Sequence, residues 1–185
     1  MQGSLIDANV WIAVSFEQHD HHALANRFIS ETSPDRPALI CRATEQSWLR
    51  LLTTPALHRR YDSLPVSNRD ALTILSDTIE LPNVRMIKEE AGVRTLWHRL
   101  AAIPTASPKV WMDAYLAAFA IRHAVEFVTL DRDLKICEGR AGIATADPMS
   151  TKKQPAPTRP GVLRPGRPVL CPPGELHARR RRPDC

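Results

Sequence analysis

Short apolar runs alternate with longer stretches in which apolar residues recur every three to four positions. "SLI" before Asp7, "ALI" before Cys41, "VRMI" after Pro82, "EFVTL" before Asp131 and "GIAT" at 142–145 have the length and β-branched content of buried strands. Helical spacing marks residues 8–17, 20–31, 43–53, 67–79, 89–102 and 110–123. Pro34, Pro37, Pro55, Pro65, Pro104 and Pro108 all fall between these stretches, where a residue without a backbone N–H does no damage to a helix. Strands alternating with helices predict an α/β fold, with helices on both faces of a short, mostly parallel, twisted sheet. Sheets of that kind place their sites beyond the carboxyl ends of the strands. No internal repeat is visible.

Charge divides the chain. The net charge of +5 suggests a nucleic-acid partner, but it is unevenly spread. Residues 1–150 carry 16 basic against 18 acidic side chains, a net of −2, whereas residues 151–185 carry 9 against 2, a net of +7. That tail also holds half of the 16 prolines and no aromatic residue. It cannot bury enough apolar surface to offset the entropy of ordering, so it is expected to be disordered. The division predicts one folded domain over 1–148 and a Pro/Arg-rich tail over 149–185. Arg179 to Arg182 could bind RNA phosphates, although a solvated extension explains the composition more simply. Cys41, Cys137, Cys171 and Cys185 form no C-x-x-C pair, so they suggest neither a disulfide framework nor a zinc ribbon. The apolar stretch from Val10 to Phe16 is too short to span a membrane, and no basic leader precedes it. A soluble, cytoplasmic protein without membrane association is expected.

Candidate chemistry lies in the acids. In "TEQSWLRLLTT", Glu45 stands three, four and seven residues before Trp48, Leu49 and Leu52, which puts it on the apolar face of its helix. Asp113 aligns in the same way with Leu116, Ala117 and Ala120. Inward-facing carboxylates are costly without a cation. Arg42 and Lys109, one turn earlier in each helix, are the structural partners available, and taken singly each acid is better explained by such a pair. Asp7 and Asp131 each follow a strand, so a parallel sheet delivers both to one edge. Taken singly they read as a helix cap and a turn residue. Four carboxylates on one edge repel one another unless a divalent cation joins them. Magnesium suits an all-oxygen set, because it keeps several waters and takes few direct carboxylates.

The segments "LIDANVWIA", "CRATEQSWLRLLTTPAL", "SPKVWMDAYLAAFA" and "FVTLDRDL", in that order and spacing, resemble the PIN-domain toxins of VapC type, the ribonuclease halves of bacterial toxin–antitoxin pairs. The resemblance covers roughly residues 3–147. It implies a PIN-like α/β/α sandwich, and Asp7, Glu45, Asp113 and Asp131 match the family's four acids. By the same resemblance, Asp7 and Asp113 are expected as direct metal ligands, with Glu45 and Asp131 binding directly or through water. Asn9 matches the polar residue that often follows the first acid by two, and Thr129 the small hydroxyl residue two before the fourth. Asp133 matches an acid present in only some members. The family implies an Mg²⁺-dependent endoribonuclease, with Mn²⁺ as a possible substitute, that cuts tRNA or rRNA by a metal-activated water. It also implies a homodimer silenced by a small antitoxin of VapB type.

Two other readings stay open. A phosphatase with Asp7 as covalent nucleophile usually has a second acid two residues on, where this chain has Asn9. A PIN-like RNA-binding module without catalysis would use the acids for structure alone. "HDHH" at 19–22 is better explained as a polar turn between helices than as a zinc site, because adjacent histidines point apart. Trp11, Trp48, Trp97 and Trp111 are expected in the core.

Overall fold

The strands are made of residues that can be buried on both sides, and the sheet uses both. In a computed structural model, which describes residues 3–131 and 143–145, β1 (Ser4–Ile6), β2 (Ala38–Ile40), β3 (Val84–Met86), β4 (Glu126–Thr129) and β5 (Ile143–Thr145) form one sheet of order β3-β2-β1-β4-β5. Every neighbouring pair is parallel. Alternate residues of each strand point to opposite faces. Leu5, Leu39 and Phe127 pack with Val93, Leu116 and Phe119 on one side; Ile6, Ile40, Val84 and Val128 pack with Trp11, Trp48 and Leu75 on the other.

Helices α1 (Ala8–Ser15), α2 (His22–Ser30), α3 (Arg42–Leu52), α4 (Pro55–Arg60) and α5 (Asn68–Ile79) contribute to the second of these cores, and α6 (Val93–Ala101) and α7 (Val110–His123) to the first. The result is the expected α/β/α sandwich. Trp11 and Trp48 stack at 5.2 Å between ring centroids and are fully buried. Trp48 Nε1 donates to Ser15 Oγ, which donates to the Trp11 carbonyl. Among the described residues no helix is long and apolar enough to cross a membrane.

Local chemistry explains where the expected boundaries move. α1 ends at Ser15 rather than at residue 17, because Phe16 turns its backbone to an extended conformation and its side chain into the core. α6 starts at Val93 rather than at residue 89, because Gly92 stands in the left-handed region at φ 89° and turns the chain into the helix. α4 is an addition: Pro55 does not merely end α3 but occupies the first turn of a new helix, where its missing N–H is no loss. Trp97 packs half-buried against the α6–α7 core, but Trp111 is 56% exposed, contrary to expectation. It lies at the start of α7, and its carbonyl accepts the Trp97 indole N–H at 2.8 Å. In the HDHH turn, His19 Nδ1 accepts the His21 amide, while His22 Nδ1 donates to the Ala13 carbonyl and His22 Nε2 accepts from Asn26, so these rings are used in local structure.

The chain builds outward from β1 to β2 and β3 on one side, and later to β4 and β5 on the other. The strand order therefore reverses between β1 and β4. In an open parallel sheet a crevice opens at that point, beyond the carboxyl ends of the strands. Asp7 and Asp131 both lie there.

Candidate active site

Asp7 directly continues β1, and its amide extends the ladder by donating to the Val128 carbonyl at 2.9 Å. It is the residue before α1, with φ −68° and ψ 153°, yet its carboxylate makes no capping hydrogen bond. Oδ2 instead accepts the Thr129 hydroxyl proton at 2.7 Å across the β1–β4 junction. Thr129 Oγ1 accepts in turn from Asn9 Nδ2 at 2.9 Å and from the Asp131 amide at 3.1 Å. One donor and two acceptor positions are all that a hydroxyl has, and here all three are used. Asn9 Oδ1 also accepts the Leu130 amide at 3.1 Å, which fixes the orientation of its side-chain amide. Asn9 and Thr129 thus hold the backbone after β4 and aim Asp7.

Electrostatics link three of the four expected acids. Burial raises the pKa of Asp7, the Thr129 hydrogen bond and the nearby Ala8 and Asn9 amides oppose that rise, and the charge of Asp131 adds to it. Asp113, in the first turn of α7, is raised by burial and by the charges of Asp131 and Asp7, with Lys109 pulling the other way. The structure therefore brings Asp7, Asp113 and Asp131 within reach of one another's charge.

Glu45 behaves differently. It lies in the first turn of α3, at the same sheet edge, with its side chain 14% exposed. Arg42 Nη1 contacts Oε2 at 2.8 Å, the structural pairing that the sequence allowed. The contact is close but misdirected, since Oε2 is buried and receives no hydrogen bond of acceptable geometry. Asp133 lies outside the described residues, as do Cys137, Cys171, Cys185 and the basic tail.

The donor set fits a hard divalent cation. It is composed of carboxylates, two of which have raised pKa values partly through mutual repulsion, and a third has an oxygen buried without a hydrogen bond. Among the described residues, no three His, Cys, Asp or Glu side chains are already closed around one point.

The sequence from residue 4 to residue 138 matches the PIN domain family model. Ribonuclease VapC41 of Mycobacterium tuberculosis is 36% identical over 128 residues, spanning 69% of this chain and 88% of that protein. This chain is a PIN-domain protein of the VapC type. Ribonuclease VapC44 of the same organism is 28% identical over 157 residues, covering 81% of this chain and 95% of that one. The crystal structure of M. tuberculosis VapC20, described as a sarcin–ricin loop cleaving toxin, matches with a TM-score of 0.53 over 76% of this chain and 98% of that chain. At 17% identity that likeness concerns the fold alone. In this PIN domain, sequence reasoning missed the part played by the Leu130 and Asp131 amides. Its signal is the pair Asn9 and Thr129, each two residues from a strand-end acid.

Proposed function

We propose that this PIN domain is an endoribonuclease and the toxin of a toxin–antitoxin pair. The observation that carries this reading is the gathering of Asp7, Asp113 and Asp131, from β1, α7 and the end of β4, at the point where the strand order reverses. The relatives named ribonucleases support it. Asp7 and Asp113 are the proposed direct ligands of Mg²⁺, with Mn²⁺ as a substitute; Glu45 and Asp131 would bind directly or through water. A bound divalent cation supplies charge neutralisation at the phosphate and makes water a better nucleophile near neutral pH.

The chain's own contribution is positional. Thr129 holds the Asp7 carboxylate in one orientation, and Asn9 anchors the Leu130 amide, so the segments that carry the acids after β1 and β4 are tied together. Burial, added to by repulsion from neighbouring acids, keeps protons on Asp7 and Asp113 to higher pH than usual, and a cation would displace them. The substrate we propose is a single-stranded loop in tRNA or rRNA, the class to which the loop named for VapC20 belongs. A small VapB-type antitoxin, a homodimeric state and action in the cytoplasm complete the reading.

The test is incubation of total tRNA and rRNA with the purified protein and with Asp7→Asn, each with Mg²⁺ and with EDTA. Discrete cleavage by the unmodified protein with Mg²⁺, lost in the variant and in EDTA, is expected. Equal activity of the two proteins, or inactivity of both across the whole RNA panel, would overturn the assignment.

A further inference from the structure

Arg42 occupies an unfavourable place for a cation. It is the first residue of α3, where the helix dipole presents its positive end, and Cys41 before it is the residue that leaves β2. Its side chain is 73% exposed, yet it bends back to a glutamate that is only 14% exposed. The 2.8 Å contact leaves Glu45 Oε2 without a hydrogen bond of acceptable geometry. A helix that needed this pair for stability would have the opposite charges at its start. A long, solvated arm on a poorly directed contact is also easily withdrawn, because little is lost when it moves into water.

We propose that Arg42 is a retractable counter-ion that competes with the divalent cation for Glu45. The inference rests on the proposal that Glu45 belongs to the cation site. While the guanidinium is in contact, Glu45 Oε2 is neutralised by the chain itself, and a cation that takes this oxygen must displace Arg42. Arg42 is therefore a positioning residue that sets how much divalent cation the site requires, with no part in bond cleavage.

Mn²⁺ binding in the absence of RNA, followed by the loss of the free-Mn²⁺ EPR signal, tests this for the full chain and for R42Q, E45Q and R42Q/E45Q, each checked by circular dichroism. R42Q is expected to lower the Mn²⁺ Kd roughly two- to five-fold, the range that displacement of an exposed ion pair supports. In the E45Q background the same Arg42 substitution is expected to leave Kd unchanged, since nothing remains to compete for. An unchanged or weaker Kd in R42Q overturns the inference, as does an equal tightening with and without Glu45, which would be a general charge effect. If neither the unmodified chain nor R42Q binds Mn²⁺, the cation site itself fails. If both bind with equal Kd, only the role of Arg42 fails.

Discussion

Replacing Thr129 by Val tests whether the β1–β4 junction is held by hydrogen bonds or by shape. The residue is 1% exposed, and Val has nearly the same volume, so no cavity opens and the change isolates the hydroxyl. Three bonds are lost: one to the Asp7 carboxylate and one each from Asn9 and the Asp131 amide. A bond to a charged group contributes about 1.5–3 kcal/mol and a neutral one about 0.5–1.5 kcal/mol. Asn9 and Asp131 are half-buried and can turn partly to water, so their bonds count near the lower limit. The sum is about 3 kcal/mol, on the order of 10 °C in Tm for a domain of this size. T129S keeps the hydroxyl and loses one methyl, at a cost of about 1 kcal/mol. Urea denaturation of the two variants side by side measures the difference. Its pH dependence has a definite sign: the Thr129 bond favours ionised Asp7, so the deficit of T129V is largest above the folded Asp7 pKa and shrinks as that group protonates. T129V within about 0.5 kcal/mol of T129S would refute the reasoning, because such a gap is smaller than one charged hydrogen bond.

Two further outcomes follow from the site and its frame. Asp113 binds its proton more tightly in the folded chain than at the ordinary aspartate value of 3.8, so in metal-free buffer stability falls as pH rises from that value through the folded pKa. D113N removes this penalty and is expected to melt higher than the unmodified protein near neutral pH, with the gain gone by about pH 4; added Mg²⁺ should raise the Tm of the unmodified protein more than that of D113N, as a scanning melt across pH would show. G92A is expected to lose about 1–2 kcal/mol in chemical denaturation, because φ is 89° there. Its added Cβ would lie 3.4 Å from the Arg122 guanidinium, an ordinary contact, so the cost is in the backbone.

The sheet was legible in the sequence because its strands are short, mostly apolar runs set between longer helical stretches, and the five runs named from the pattern contain the five strands observed. Asp7 and Asp131 could be assigned to one edge once the sheet was taken as parallel. Less visible was anything that depends on three-dimensional neighbours. Leucine-like spacing put Trp111 in the core, but that ring is at the helix start, where the packing of α7 has not yet closed over it. Pro55 reads as a helix breaker in one dimension and as a helix starter once the chain turns. Arg42 and Lys109 looked equivalent as partners one turn before an acid. Arg42 makes the contact, whereas Lys109 acts on Asp113 without an ion pair in the described structure. The pattern also treated the four acids as one set, but the charge coupling joins three of them, while Glu45 is in contact with Arg42.

The bond from Thr129 to Asp7 spans 122 residues of chain. At the usual 5–20 residues per second of synthesis, roughly 6 to 24 s separate the appearance of the two partners. Throughout that interval Asp7 lacks the hydroxyl that orients it, and of the acids that share its edge Glu45 and Asp113 are made before Thr129 and Asp131 only after it. The β1–β4 junction is therefore closed only after the strand that supplies Thr129 has been made, late in the synthesis of the described residues. The order of the strands thus makes the orientation of Asp7 one of the last features of this edge to form as the chain is synthesised.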